Sequence, residues 1–200
     1  RLLELAGGTR QLAEHRYELF LDDAERKWAD HYAATHQLAG QRWLGLHVGS
    51  GGTKNLALRR WPLEHYVELV GLIHDMKPDL PIVFFGGPEE AEAHAELFQR
   101  LRRGPRFFPQ SPSLRHAAAL LAQAHWVLSV DTVFMHLATA VNVPHQFVIE
   151  TPTVNQPNLP LRTDWQLIPN AAIAGRHLDF YRYDGQPIRG TPAELKAIMA

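Results

Sequence analysis

From residue 43 onward the chain alternates between two hydrophobic periods. Trp43–Val48, Pro81–Phe85, Trp126–Val130 and His145–Ile149 are short, nearly continuous apolar runs. Runs of that length without strict alternation suit strands covered on both faces. Between them the apolar positions recur at helical spacing. After Pro62, which suits the first position of a helix, Leu63, Tyr66, Val67, Val70 and Ile73 line one side as far as Lys77. Pro88-Glu89-Glu90 opens a second helix with acids in its first turn, where the dipole favours them, and that helix ends before Gly104. Arg106–Phe108 reads as a short strand. Ser113 is placed to cap a helix whose Leu114, Ala117, Ala118, Leu121 and Ala124 form one stripe. A helix over 132–142 and a last strand over Trp165–Ile168 complete the series. Strands alternating with helices across short loops predict an α/β fold with a doubly wound parallel sheet, Rossmann-like.

The flanks are less regular. Residues 1–40 read as a helical lead-in: Leu12, Tyr17, Leu19, Phe20 and Leu21 supply apolar surface, Trp28, Tyr32 and Leu38 face a core, and Gly40 suits a C-cap. The domain proper is expected over 41–160 and a C-terminal extension over 161–200. Residues 150–160 have the Pro and Asn content of a loop. The tail carries an Asp184-Gly185 turn and a short helix after Thr191-Pro192. There is no internal repeat. The chain starts with Arg and enters on a helix-like segment, as expected of a piece of a longer or processed protein.

Composition narrows the class. Hydrophobic residues make up 46% and charged residues 20%, which is ordinary for a folded soluble domain. A net charge of −1 supplies no basic field for nucleic acid. With no Cys, disulfides and thiolate metal sites are excluded. Neither a transmembrane run nor a secretory signal pattern is visible. The 12 His fall at no metal-ligand spacing, so no metal is expected.

Two stretches carry candidate chemistry. In the first, the strand WVLSV passes through Asp131-Thr132 into the helix FMHLATAV. Ligands of open parallel sheets bind beyond the carboxyl ends of the strands, and the free amides of a helix start attract anions. The plainer alternative is that Asp131 only caps the helix. The second is the turn Gly49-Ser50-Gly51-Gly52-Thr53 after the first strand, with Lys54, Arg59 and Arg60 behind it. It is not a P-loop and lacks the third glycine of the dinucleotide fingerprint. Its plainer alternative is a loop that needs φ > 0. Both stretches follow strands, so both can face one cleft.

Three motifs in register give a more specific indication. Asp131-Thr132-Val133-Phe134-Met135-His136-Leu137-Ala138 followed by Val143-Pro144, His47-Val48-Gly49-Ser50-Gly51 followed by Arg59-Arg60-Trp61-Pro62, and Phe85-Gly86-Gly87-Pro88-Glu89-Glu90 together resemble the family 9 glycosyltransferases, the heptosyltransferase-like enzymes. The resemblance covers roughly 40–155. It implies the C-terminal, donor-binding lobe of a GT-B enzyme. Such an enzyme moves a sugar, with inversion and without metal, from a nucleotide diphosphate donor such as ADP-heptose to a lipopolysaccharide or related glycan acceptor. It also implies a cytoplasmic site of action at the inner face of the inner membrane, with at most peripheral membrane contact. By position Arg59 matches a Lys that meets the donor phosphates, Asp131 the Asp that contacts the transferred sugar, Thr132 and the Val133 amide the diphosphate contacts, and His136 the family's His. The donor-binding set is then Gly49, Ser50, Gly51, Lys54, Arg59, Asp131, Thr132, Val133 and His136. The catalytic base, a carboxylate in this family, is expected from an N-terminal lobe and is not assigned here.

The sequence departs from the family pattern at three places. D-T-G is D-T-V at Val133, a glycine is replaced by Glu150, and H-P is His47-Val48. An acid beside a diphosphate is unfavourable unless something neutralises it. These changes leave open a different donor, or a non-catalytic binding domain whose donor site has decayed. A sugar epimerase or hydrolase of the same architecture would need a convergent acid–base pair, and none is visible.

Overall fold

The computed structural model describes residues 17–49, 60–152, 159–160, 164–174 and 191–200. Within them α1 is Asp23–Thr35, β1 Leu44–His47, α2 Leu63–Met76, β2 Ile82–Phe85, α3 Ala91–Arg100, β3 Arg106–Phe107 and α4 Leu114–Leu121. They are followed by β4 Trp126–Ser129, α5 Val133–Ala140, β5 His145–Ile149, β6 Trp165–Ile168 and α6 Pro192–Met199. The strands form one 6-stranded sheet in the order β3-β2-β1-β4-β5-β6, and every neighbouring pair is parallel. The expected doubly wound α/β sheet is what the chain forms. From β1 it winds one way through β2 and β3. It then returns to lay β4 on the other side of β1 and continues outward. The topological switch therefore lies between β1 and β4, where ligands of such sheets bind.

The strand sequences explain the two layers. Alternate residues face opposite sides, and β1, β2 and most of β4 are buried throughout. Leu44, Leu46, Val48, Ile82, Phe84, Leu128 and Val130 join Tyr66 and Val70 of α2 and Leu97 of α3 in one core. Val83, Phe85 and Val127 join residues of α1, α4 and α5 in the other.

Helix α1, within the stretch read as a lead-in, belongs to this second layer. Asp22 and Glu25 cap it reciprocally, and Ala29 and Ala33 are small enough to let it lie close to α4. Arg115 of α4 pairs with Glu25 and donates to the Phe20 carbonyl at 2.6 Å. Gly40, expected to end α1, lies further on. The left-handed residue that ends the helix is Gln37, with φ 57°, and Gly40 is left-handed in its turn at φ 72°. The Leu38 amide reaches back to the Ala33 carbonyl at 2.7 Å, because Leu38 must turn into the core. Pro62 likewise precedes α2 as its N-cap.

The C-terminal helix α6 also packs on this domain. Leu195 and Met199 are buried, and the Ala200 oxygen lies 2.8 Å from His65 Nε2. Asn170 links the pieces. Its amide N–H donates to Glu150 Oε2 at 2.8 Å, its side-chain nitrogen donates to the Ile198 carbonyl at 2.8 Å, and its side-chain oxygen accepts from the Ala172 N–H at 2.9 Å. Asn170→Ala removes the last two bonds and is expected to cost about 1–2 kcal/mol. Urea unfolding measures that cost, and faster amide exchange across α6 would locate it. Unchanged stability would mean that the linkage is incidental. The Asp184-Gly185 turn lies outside the described residues. No described helix is long and apolar enough to cross a membrane.

Candidate functional site

The carboxyl ends of β1 and β4 meet at the switch. β1 continues through His47 and Val48 to Gly49, all buried. The His47 ring stacks on Phe134 at 4.4 Å, and its Nδ1 lies 3.2 Å from Thr132 Oγ1. The Tyr66 hydroxyl donates to the His47 carbonyl at 3.2 Å, tying α2 to the end of β1. Burial, and then the nearby His94 and Arg60, push the His47 pKa down to about 3. The imidazole is therefore neutral at ordinary pH and bonds to Thr132 without adding charge.

Thr132, not Asp131, is the N-cap of α5, with extended backbone and no side-chain capping bond. Val130 is drawn fully into the core on the α2 side, so the turn into the helix falls one residue later than expected. Asp131 sits just before it, 8% exposed at the crevice. Because the Thr132 hydroxyl is directed to His47, it leaves the Val133 and Phe134 amides of α5 for an anion, while the Met135 N–H donates to the Thr132 carbonyl at 3.1 Å. Val133 is the first helical residue and stands 47% exposed. His136, one turn on, lies edge-on to Tyr17 at 5.8 Å.

The third contributor comes from the turn after β2. Glu90 closes a short 3-10 turn, Pro88–Glu90. It is 3% exposed, and its Oε2 accepts from the Gly87 N–H at 2.8 Å. Its Oε1 has no hydrogen-bond partner and lies 3.7 Å from Arg60 Nη2. An ideal Cβ on Gly49 would overlap this carboxylate. Gly49 is therefore a glycine for close approach; its φ is not in the left-handed region. Beneath the turn, His94 is buried with both ring nitrogens unpartnered, 4.0 Å from the Phe108 ring. Burial pushes its pKa down to about 4.

The structure thus brings Gly49, Asp131, Thr132 and Val133 to one crevice, with His136 on the flank of the same helix. Ser50, Gly51, Lys54 and Arg59 lie outside the described residues. The sequence reading placed Arg60 behind the glycine turn but left it, with Glu90 and His47, out of the donor-binding set, although all three stand in the motif stretches. A buried carboxylate needs a reason, but burial is not legible in a turn sequence. Glu150, the acid that departs from the family pattern, has its Oε2 bonded to the Asn170 amide, which offsets part of its charge. Among the described residues no group of three or more His, Asp or Glu is arranged to hold a metal. A groove of about 350 Å3 between α2 and the end of α3, lined by Val70, His74 and Arg103 among others, lies toward the other end of the sheet.

Residues 9–146 match the family described as Glycosyltransferase family 9 (heptosyltransferase). The chain belongs to this family. It is 35% identical over 111 residues to lipopolysaccharide heptosyltransferase 1 of Escherichia coli strain K12, a match covering 54% of this chain and 31% of that protein. The family 9 chain therefore spans about a third of its curated relative. Among solved structures it resembles the glycosyl transferase family 9 protein of Veillonella parvula, with a TM-score of 0.71 at 16% identity over 96% of this chain and 56% of the other. It also resembles E. coli ADP-heptose lps heptosyltransferase II, with a TM-score of 0.57 at 22% identity over 91% and 53%. A third is E. coli heptosyltransferase WaaC with ADP-2-deoxy-2-fluoro heptose, TM-score 0.55 at 22% identity over 82% and 45%. At these identities the structural matches speak for the fold.

The two buried histidines carry a pH prediction. Both have folded pKa values below the ordinary 6.5, so protonation favours the unfolded chain. Their neutral forms stabilise the fold fully above about pH 6.5, and that stability is lost as pH falls toward about 4 for His94 and about 3 for His47. Thermal melts from pH 7 to 4 are expected to fall steeply. His94→Leu orphans no partner and should flatten part of that slope; an unchanged slope would assign it to other groups.

Proposed function

We propose that this chain is the donor-binding, C-terminal lobe of a two-lobed inverting glycosyltransferase. The enzyme would move a heptose or similar sugar from a nucleotide diphosphate donor, ADP-heptose first among candidates, to a lipopolysaccharide or related surface-glycan acceptor. The observation that carries this reading is the start of α5: a helix N-terminus without a side-chain cap, at the switch point, beside the end of β1 and the Arg60 cation. Family membership supplies the reaction class.

In this reading the Thr132–Phe134 backbone meets the diphosphate, and Asp131 meets the transferred sugar. As the bond from sugar to phosphate breaks, negative charge builds on the leaving diphosphate. Fixed amides and a nearby cation stabilise it without reorganising, which is where such sites gain most rate. The acceptor proton passes to a base on the companion lobe. The reading assigns no metal or other cofactor, because backbone amides and arginine supply the neutralising charge. It places the work on the cytoplasmic side of the inner membrane.

Calorimetric titration of the 200-residue chain with ADP, UDP and GDP, without added metal, tests the reading. Saturable binding of one of them is the expected result and names the base. A folded chain that binds none would sink it. One observation favours a second reading, a binding domain with a decayed donor site. Val133 places a branched, exposed side chain beside the amides a phosphate would approach. Val133→Gly separates the two: it is expected to raise nucleoside diphosphate affinity several-fold if the side chain only crowds the site, and to change nothing if the site has decayed.

A further inference from the structure

Helices α2 and α3 end where β2 and β3 begin, so the groove between them opens at the amino edge of the sheet, away from the crevice. Its volume of about 350 Å3 suits a small molecule. Arg100, Arg102 and Arg103 line one side, with Asp75 as the one acid among the lining residues, although the chain as a whole carries a net charge of −1. The α2 wall is apolar, made by Val67, Val70 and Gly71. The backbone holds the arginines in place. Leu101 is buried, and its amide donates to the Leu97 carbonyl at 2.8 Å. Gly104 takes φ 74°, and an ideal Cβ on it would overlap the ring of His74. That ring is itself buried and donates through Nε2 to the Leu80 carbonyl at 3.1 Å. Arg106 Nη1 ties the same turn by donating to the Gly104 carbonyl at 3.2 Å. With both ends of the turn fixed, Arg102 and Arg103 between them stay exposed.

Little inside the chain engages these two guanidinium groups. Arg102 makes no ion pair or hydrogen bond among the described residues. Arg103 meets Asp75 at 3.6 Å with both side chains exposed, a loose pair. Arg100 is shared with Glu96 of its own helix at 3.0 Å. Gly71 is an independent observation. It stands exposed in the middle of α2, where glycine is unfavourable relative to alanine. A Cβ built on it meets nothing within 4 Å, so no described neighbour requires the glycine. Its missing side chain leaves a notch in the apolar wall of the groove, facing the arginines.

We propose that this groove is a ligand site separate from the donor crevice, and that it takes a phosphate monoester carrying an apolar group. The phosphate sits on Arg102 and Arg103, and the apolar group lies along Val67 and Val70 over the notch at Gly71. Two adjacent guanidinium groups favour phosphate over carboxylate. One arginine fork fills both oxygens of a carboxylate, whereas a phosphate monoester offers three terminal oxygens and a charge of about −1.5 to −2, enough for two forks. The site does not depend on the donor reading, since no residue of the groove belongs to the crevice.

The test uses the 200-residue chain and hexyl phosphate, with inorganic phosphate, hexanoate and hexanol as the probes that lack the apolar group, the phosphate and the charge. Calorimetry is expected to show saturable binding of hexyl phosphate, about ten-fold tighter than that of any of the three. Replacing Arg102 and Arg103 together by Ala should weaken it about ten-fold or more. Asp75→Asn removes the competing acid and should tighten it about two-fold. Gly71→Ala should raise the melting temperature, as helix propensity requires, and yet weaken hexyl phosphate several-fold, a split that a merely structural glycine would not give. Lys27→Ala, on the α1 side of the sheet, should leave the affinity unchanged. No saturable binding, a preference for inorganic phosphate, or an affinity that survives the loss of both arginines overturns the proposal. Phosphatidylcholine vesicles with and without phosphatidate distinguish the source. Cosedimentation that needs both phosphatidate and the two arginines makes the ligand a lipid headgroup; tight hexyl phosphate binding without cosedimentation makes it a soluble phosphate ester. Thermal melts of each variant separate these outcomes from loss of fold.

Discussion

Asp131→Asn is expected to lower sugar transfer roughly 100-fold or more in an enzyme carrying both lobes, while nucleoside diphosphate affinity stays within a few-fold. The argument is electrostatic. Asp131 sits immediately before a helix start that attracts anions, 8% exposed at the crevice. A carboxylate so close to a diphosphate repels it unless the carboxylate faces something else. In the proposed reading the sugar is that something. Its reacting carbon gathers positive charge as the bond to phosphate breaks, in the manner of glycosyl transition states. A carboxylate aimed at that carbon and its hydroxyls is strained against the ground state and relieved in the transition state. Removing its charge should therefore appear in kcat more than in binding. Steady-state kinetics, calorimetry with the nucleotide and a melting curve check the three parts together. Unchanged turnover would show that Asp131 merely shapes the turn into α5.

Gly49→Val should abolish nucleotide binding and cost about 1–3 kcal/mol of stability. The cause is contact. A side chain at 49 would occupy the space of the Glu90 carboxylate, which is itself buried and anchored on the Gly87 amide. Either the end of β1 or the turn after β2 has to move, and both line the crevice. Adding Glu90→Ala removes the obstruction. The double variant is expected to regain much of the lost stability, a non-additive result of the kind that contacting residues give, yet not the binding. Chemical denaturation reads the first effect and titration the second. Additive stability losses would mean that the two residues do not compete for the same space.

Much of this fold was legible because parallel sheets write themselves as apolar runs. Trp126–Ser129 and His145–Ile149 are short runs with little alternation, since helices cover both sides of the sheet, and they form β4 and β5 almost as read. Ser113 caps α4 as its position suggests, accepting from the His116 amide. Boundaries were less legible where tertiary demand outweighed local preference. Gln37 ends α1 in the left-handed conformation ahead of Gly40, which is left-handed too, because burying Leu38 fixes where α1 must end. Asp131 yields the N-cap to Thr132 because Val130 is committed to the core.

By itself, then, the sequence determined the alternation of strands and helices, the family and the two turns proposed for an anion site, since each of these rests on residue type at short spacing. Only the tertiary structure decided the rest. The order that sets β1 beside β4 brings His47, separated by 85 positions from Thr132, within hydrogen-bond reach of it. The same packing buries Glu90 against Gly49 and holds Arg60 at the mouth of the crevice. Burial and the separation of charges across the sheet belong to the folded chain, because an acid in a turn looks the same in sequence whether it meets water or an arginine.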